Sequence, residues 1–200
     1  MAVKVDGLIL AAGLSKRTQE FKMTLDLFGV PLLARAIESM SSVCKKITIV
    51  GGYRFQEIRQ IVAKFDNCRV VYNRDFQKGM FSSFKVGIQH MNTRRFFMTP
   101  GDIPFITPAV YKQMLKVKGN IVVPRFGDRN GHPLLLSSSF IPELIEMPDS
   151  SILKDYIKER EITLFPVEDE GILLDIDTLS DYYELLEKYK SIYTVETKKK

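Results

Sequence analysis

Near the start of the chain, Ser15, Lys16, Arg17 and Lys22 follow Gly13 in the stretch GLILAAGLSKRTQEFK, which begins at Gly7. A glycine there can take φ > 0 and, lacking Cβ, lets backbone N–H groups approach an anion closely. Arginine offers a planar fork to phosphate and lysine a point charge, so the chemistry is that of phosphate binding. Further on, Asp102 stands in Gly101-Asp102-Ile103-Pro104-Phe105, just past Arg95 to Thr99, which reads as a strand. A carboxylate just past the C-terminal end of a strand lies in the crevice where open α/β sheets bind ligands. Both features have plainer readings. A glycine turn with cations is an ordinary strand-to-helix connection, and aspartate is common in turns for local hydrogen-bonding reasons. The stretch matches neither a Walker A loop nor the three-glycine dinucleotide fingerprint.

The elements that must position these residues alternate. Gly7 to Ala12 reads as a buried parallel strand, and Pro31 opens a helix to about Met40. Lys46 to Val50 is a strand closed by Gly51-Gly52. Phe55, Ile58, Ile61, Val62 and Phe65 recur at helical spacing, and Cys68 to Tyr72 is a third strand. Strand, helix, strand, helix, strand implies a mostly parallel sheet with right-handed crossovers. The polar loop Asn73 to Phe81 leads to Ser82-Ser83, read as N-caps of a helix to about Met91. In a sharper reading Gly79, Ser82 and Ser83 wall a nucleotide pocket, with Asn73 and Ser82 as base-edge contacts. His90, inside that helix, is read as structural. Thr107 caps a helix to Val117 with Pro108 in its first turn, and Asn120 to Val123 is a strand. A polar loop, Arg125 to Pro133, follows. Helices over Phe140 to Glu146 and Ser150 to Lys158 then precede a strand from Ile162 to Val167. Glu168 to Gly171 is read as a solvated turn. Ile172 to Ile176 is expected to be a last strand, whose alternation sends Asp175 and Asp177 to one face. Thr178 and Asp181 then open a helix to about Tyr189.

Length and composition fit a single domain over residues 1–190 with a basic tail, 191–200, in a chain of 200 residues. The net charge of +5 is mild and comes partly from Lys198, Lys199 and Lys200. No apolar run approaches the ~20 residues that span a bilayer. No cleavage pattern follows the first residues, so cytoplasm is the expected compartment. Cys44 and Cys68 have no metal-ligand spacing and read as reduced, buried thiols. Aromatic and basic residues do not interleave as in nucleic-acid binders, so neither nucleic acid nor membrane is an expected partner.

Taken in order, Leu10-Ala11-Ala12-Gly13-x-Ser15-x-Arg17-x4-Lys22, GMFSS at Gly79 to Ser83, GDIPF, Gly131-His132-Pro133 and Asp175-Ile176-Asp177-Thr178 resemble the signature segments of the molybdenum-cofactor cytidylyl- and guanylyltransferases. These are MobA-like nucleoside triphosphate transferases. The resemblance implies a three-layer α/β/α sandwich with a mostly parallel, Rossmann-like sheet. It further implies that Leu10, Ala11, Ala12, Gly13, Arg17, Lys22, Asn73, Gly79, Ser82, Ser83 and Asp102 bind the nucleotide. Asp102 and Asp177 would hold Mg2+, Arg17 and Lys22 would hold the β- and γ-phosphates, and His132 would face the acceptor substrate. Ala12, where the guanylyltransferase branch tends to carry glycine, tilts the resemblance toward CTP. Transient contact with a molybdoenzyme maturation factor is also implied. Where the family usually has Arg-Met-Gly, this chain has Arg17-Thr18-Gln19. Other phosphorylated acceptors, such as a sugar phosphate, phosphocholine or methylerythritol phosphate, stay open. So does a nucleotide-binding protein without efficient catalysis.

Overall fold

The computed structural model describes residues 5–15 and 20–197; Lys16, Arg17, Thr18 and Gln19 lie outside them. The first strand, β1 (Asp6–Ala11), is buried along its whole length, as the unbroken apolar run from Leu8 to Ala11 leads one to expect. Next come α1 (Leu32–Ser41), β2 (Lys46–Gly51), α2 (Phe55–Val62), β3 (Cys68–Tyr72), α3 (Met80–Ile88), β4 (Arg95–Pro100) and α4 (Pro108–Met114). The second half adds β5 (Ile121–Phe126), β6 (Arg129–Asn130), β7 (Leu134–Ser137), α5 (Ile141–Glu146), α6 (Leu153–Lys158), β8 (Thr163–Pro166) and α7 (Leu179–Thr197). Among the described residues the eight strands form one sheet in the order β3-β2-β1-β4-β7-β5-β6, with β8 on β5. The β1–β4 pairing, both β2 pairings and the β5–β8 pairing are parallel. β7 runs antiparallel between β4 and β5.

Alternation along the strands builds the three layers. Ile9, Ala11, Ile47, Ile49, Phe97, Val122 and Leu135 face one side, where α1, α2, α4 and α7 cover them. Leu8, Leu10, Val50, Phe96, Met98, Val123 and Leu136 face the other, under α3, α5 and α6. The expected fold class is therefore present. No helix among the described residues is long and apolar enough to cross a membrane.

Several local expectations are corrected. Ile172 to Ile176 is not a strand: Glu170–Leu173 forms a 3-10 turn, and the residues after it are irregular. Ile172 and Ile176 are fully buried four positions apart, so the apolar run plugs the core instead of pairing. Gly171 rests so close to Phe105 that a Cβ there would overlap its carbonyl. The alternation argument for Asp175 and Asp177 falls with the strand, and Asp175 is exposed. Asp169, read as part of a solvated turn, is an organiser: its carboxylate accepts from the N–H and hydroxyl of Thr107 and from Gly171 N–H. Ser82 and Ser83 do not cap a helix. α3 begins earlier, at Met80, with Gly79 at its N-cap and φ of 109°. β5 continues to Phe126 and pairs with β6, so the loop expected from Arg125 holds a short hairpin. α7 runs to Thr197, across the expected start of the tail.

Candidate active site

The phosphate-type loop leaves β1 at Ala11, and its left-handed residue is Ser15, with φ of 50°. Gly13 has no positive φ; the space where its Cβ would sit is open. Ser15 Oγ accepts from the Lys22 N–H at 3.2 Å, which closes the loop on itself. Two backbone bonds then bring distant carboxylates to this place. Gly101 N–H donates to the Leu10 carbonyl at 2.8 Å, fixing Asp102 beside the loop, and Ile176 N–H donates to the Asp102 carbonyl at 3.0 Å, fixing Asp177 beside Asp102. A capping box holds the far side. Asp181 Oδ2 accepts from the N–H groups of Asp177 and Thr178, and Asp181 N–H donates to Thr178 Oγ1, as the sequence predicts for that helix start.

The Lys22 ammonium lies between the two carboxylates, 2.7 Å from Asp102 and 3.2 Å from Asp177. Burial alone would lower its pKa; the charges and hydrogen bonds of Asp102 and Asp177 outweigh that, and the net shift is upward. The family resemblance sets Lys22 against phosphates, and nothing in local spacing signals its pairing with residues 80 and 155 positions away. Among the described residues, no three or more His, Cys, Asp and Glu side chains form a metal cage. A pair of carboxylates bridged by a cationic stand-in fits magnesium, which commonly takes one or two carboxylates and completes its octahedron with phosphates and water.

A cavity of about 350 Å³ opens over this constellation, lined by Leu10 to Ser15, Lys22, Phe76, Gln77, Gly79, Met80, Ser83, Asp102 and Asp177. The structure thus brings together most of the residues singled out by sequence. Asn73 and Ser82 stand behind the wall and are absent from it. Asn73 is buried, its amide donates to Ser82 Oγ and Ser83 Oγ at 2.9 Å each, and its Oδ1 accepts from Asp75 N–H. Ser82 Oγ is spent on the carbonyls of Gly79 and Asp75. These two residues brace the start of α3, from which Gly79 and Ser83 face the cavity. Arg17 falls outside the described residues. Phe76, Gln77 and Met80 were not anticipated, because no local pattern separates a wall residue from a loop residue.

A second cavity, about 660 Å³, adjoins the first through the shared residues Leu10, Gly79 and Met80. Its floor is apolar, from Phe81, Phe84, Met98, Val123, Leu134 and Ile157, and Lys78, Lys154 and Lys158 also line it. Asp149 ties it to α3: Lys85 donates to Asp149 and to the Met147 carbonyl, Lys78 also pairs with Asp149, and these lysines hold the Asp149 carboxyl below its usual pKa.

His132 lines this second cavity, but its Nδ1 is enclosed without a hydrogen-bond partner. Burial pushes its pKa down to about 4, against the opposing pull of Asp102 and the Met98 carbonyl, so the ring is neutral at pH 7. The folded state favours the unprotonated ring. Its contribution to stability is therefore complete above the ordinary value of 6.5 and lost as the pH falls toward about 4. Denaturant midpoints measured across that window should fall less steeply in His132→Gln than in the wild type; equal slopes would contradict the burial argument.

The glycine loop at the carboxyl edge of the sheet and the paired carboxylates thus meet around one cavity. The chain belongs to the family described as the MobA-like NTP transferase domain, whose family model matches residues 7–163. It is 28% identical over 189 residues to the molybdenum cofactor cytidylyltransferase of Escherichia coli K12, covering 94% of this chain and 98% of that protein. Among solved structures it resembles a nucleotidyl transferase from Methanothermobacter thermautotroptrophicus, with a TM-score of 0.80 and 18% identity over 94% of this chain and 99% of the other. It also resembles the manganese complex of Rv0371c from Mycobacterium tuberculosis H37Rv, with a TM-score of 0.75 and 23% identity over 92% and 99%.

Proposed function

We propose that this nucleotidyltransferase moves CMP from CTP to a phosphomonoester, the terminal phosphate of molybdopterin, with Mg2+ held by Asp102 and Asp177. The observation that carries the reading is the pair of adjoining cavities, one over the carboxylates and one with an apolar floor and lysines in its lining. A flat fused-ring acceptor would bury its rings on Phe81, Phe84 and Met98 while the lysines attract its phosphate. A sugar phosphate would bring hydroxyls to a floor that offers them few partners. The Escherichia coli relative supports the choice of CTP and of the cofactor, and the manganese complex of Rv0371c supports a divalent ion.

The reaction requires no protein nucleophile. An oxygen of the acceptor phosphate attacks the α-phosphorus of CTP, a new P–O bond forms, the α–β bridging P–O bond breaks, and its electron pair leaves with pyrophosphate. The glycine loop positions the triphosphate, and Arg17 and Lys22 bind its β- and γ-phosphates and offset the charge that gathers on the leaving group. Bound magnesium would supply further neutralisation of charge at the α-phosphate. The product would pass to a maturation factor of molybdoenzymes.

Pyrophosphate release is the test, with Mg2+ and each of the four nucleoside triphosphates, with and without molybdenum-loaded molybdopterin, inositol phosphate and methylerythritol phosphate. CTP-selective release that depends on molybdopterin is the expected result. Release with a sugar-type acceptor instead would overturn the acceptor. Nucleotide binding without release for any acceptor would point to the binding-protein reading.

A further inference from the structure

The structure gives Lys22 one position and the proposed reaction asks for another, and it cannot hold both. In nucleotidyl transfer its ammonium belongs on the triphosphate; in the structure it bridges Asp102 and Asp177. A divalent cation on those carboxylates would meet the ammonium at close range, where like charges repel strongly. We infer that Lys22 is an internal counter-ion that closes the divalent-cation position until a nucleoside triphosphate draws it away, so that metal and nucleotide enter as one unit. This rests on the proposed assignment of Asp102 and Asp177 as the metal pair.

Three observations support it. The Lys22 side chain is only 11% exposed, so its charge needs a partner at all times. Its backbone N–H is tied to Ser15 Oγ in the phosphate-type loop, and Lys22 lines the same cavity as Gly13, Leu14 and Ser15, so a side-chain rotation carries the ammonium from the carboxylates to a triphosphate seated there. The ammonium also offsets part of the charge of the two carboxylates it touches, which weakens their attraction for a free dication. Once a polyanion engages the lysine, its ammonium no longer opposes a cation on the pair. The energetic consequence is cooperativity between metal and nucleotide that a permanently open carboxylate pair would lack.

The sign of the effect makes it testable, because removing a residue that serves catalysis should improve metal binding. Mn2+ titrations of the nucleotide-free full chain, read by electron paramagnetic resonance, are expected to show Lys22→Met binding at least ~10-fold tighter than wild type. Lys22→Arg, which keeps the charge, should show no such gain, and Lys22→Met combined with Asp102→Asn should lose it. In the wild type, saturating Mn2+ without nucleotide should accelerate acetylation of Lys22 by an activated ester several-fold, read by peptide mass mapping. Unchanged Mn2+ affinity in a Lys22→Met protein that melts normally would overturn the inference. If that variant does not fold, unchanged acetylation in the wild type overturns it. A wild type that holds no Mn2+ even with CTP would remove the metal pair itself, and the inference with it; Mn2+ held with CTP but no gain in Lys22→Met would remove the inference alone.

Discussion

Asp102→Asn is expected to lower CTP-dependent pyrophosphate release by about 10²- to 10³-fold, the usual cost of deleting one preorganised charge from a phosphoryl-transfer site. The substitution is nearly isosteric. The turn that carries residue 102 is held by backbone bonds, Gly101 N–H to Leu10 and Ile176 N–H to the Asp102 carbonyl, neither of which needs the carboxylate. The fold should therefore survive while the charge is lost. In the ligand-free protein the deletion leaves Lys22 with Asp177, 3.2 Å away, in place of two partners, so thermal stability should change little. Turnover is to be compared at saturating nucleotide and acceptor, beside a melting curve. A variant that keeps more than a tenth of wild-type turnover would remove Asp102 from the reaction.

The largest stability effect is expected from Phe97→Ala. Phe97 is fully buried in β4, opposite Gly7 of β1 and Leu135 of β7, at the centre of the sheet. Its ring meets that of Tyr111 edge-on, with centroids 5.1 Å apart and an interplanar angle of 86°. Truncation would lose the transfer free energy of the ring and leave a void between sheet and helix, at a cost of about 3–5 kcal/mol. Against a total of about 5–15 kcal/mol for a typical domain, that is a large share. Urea unfolding should show it as a lower midpoint with little change in slope. A loss below about 1.5 kcal/mol would mean that α4 closes onto the sheet and fills the void.

The layered fold was legible because its signals are local. The apolar run of β1 after Asp6, the helical stripe of α2 and the strand-helix alternation each follow from backbone geometry acting on neighbouring residues. The Thr178–Asp181 box was legible for the same reason: both partners lie within one helical turn. Ile172 to Ile176 was misread because an apolar run shows that a segment is buried, without showing whether it pairs as a strand or plugs a core. Ser82 and Ser83 were misread because a hydroxyl near a helix start suits a cap, while their actual partner, Asn73, is fixed by how the loop folds back.

By itself the sequence determined that this chain makes a three-layer α/β sandwich with a glycine loop at the carboxyl edge of its sheet and aspartates at Asp102 and Asp177. Only the tertiary structure decided that those aspartates share one lysine, that Asn73 and Ser82 support a wall without facing the cavity, and that an apolar second cavity adjoins the first. The reason is physical. Backbone periodicity is encoded within a few residues, whereas the Lys22 ammonium meets charges 80 and 155 positions away, and which charges meet depends on how the packed layers bring the loop ends together.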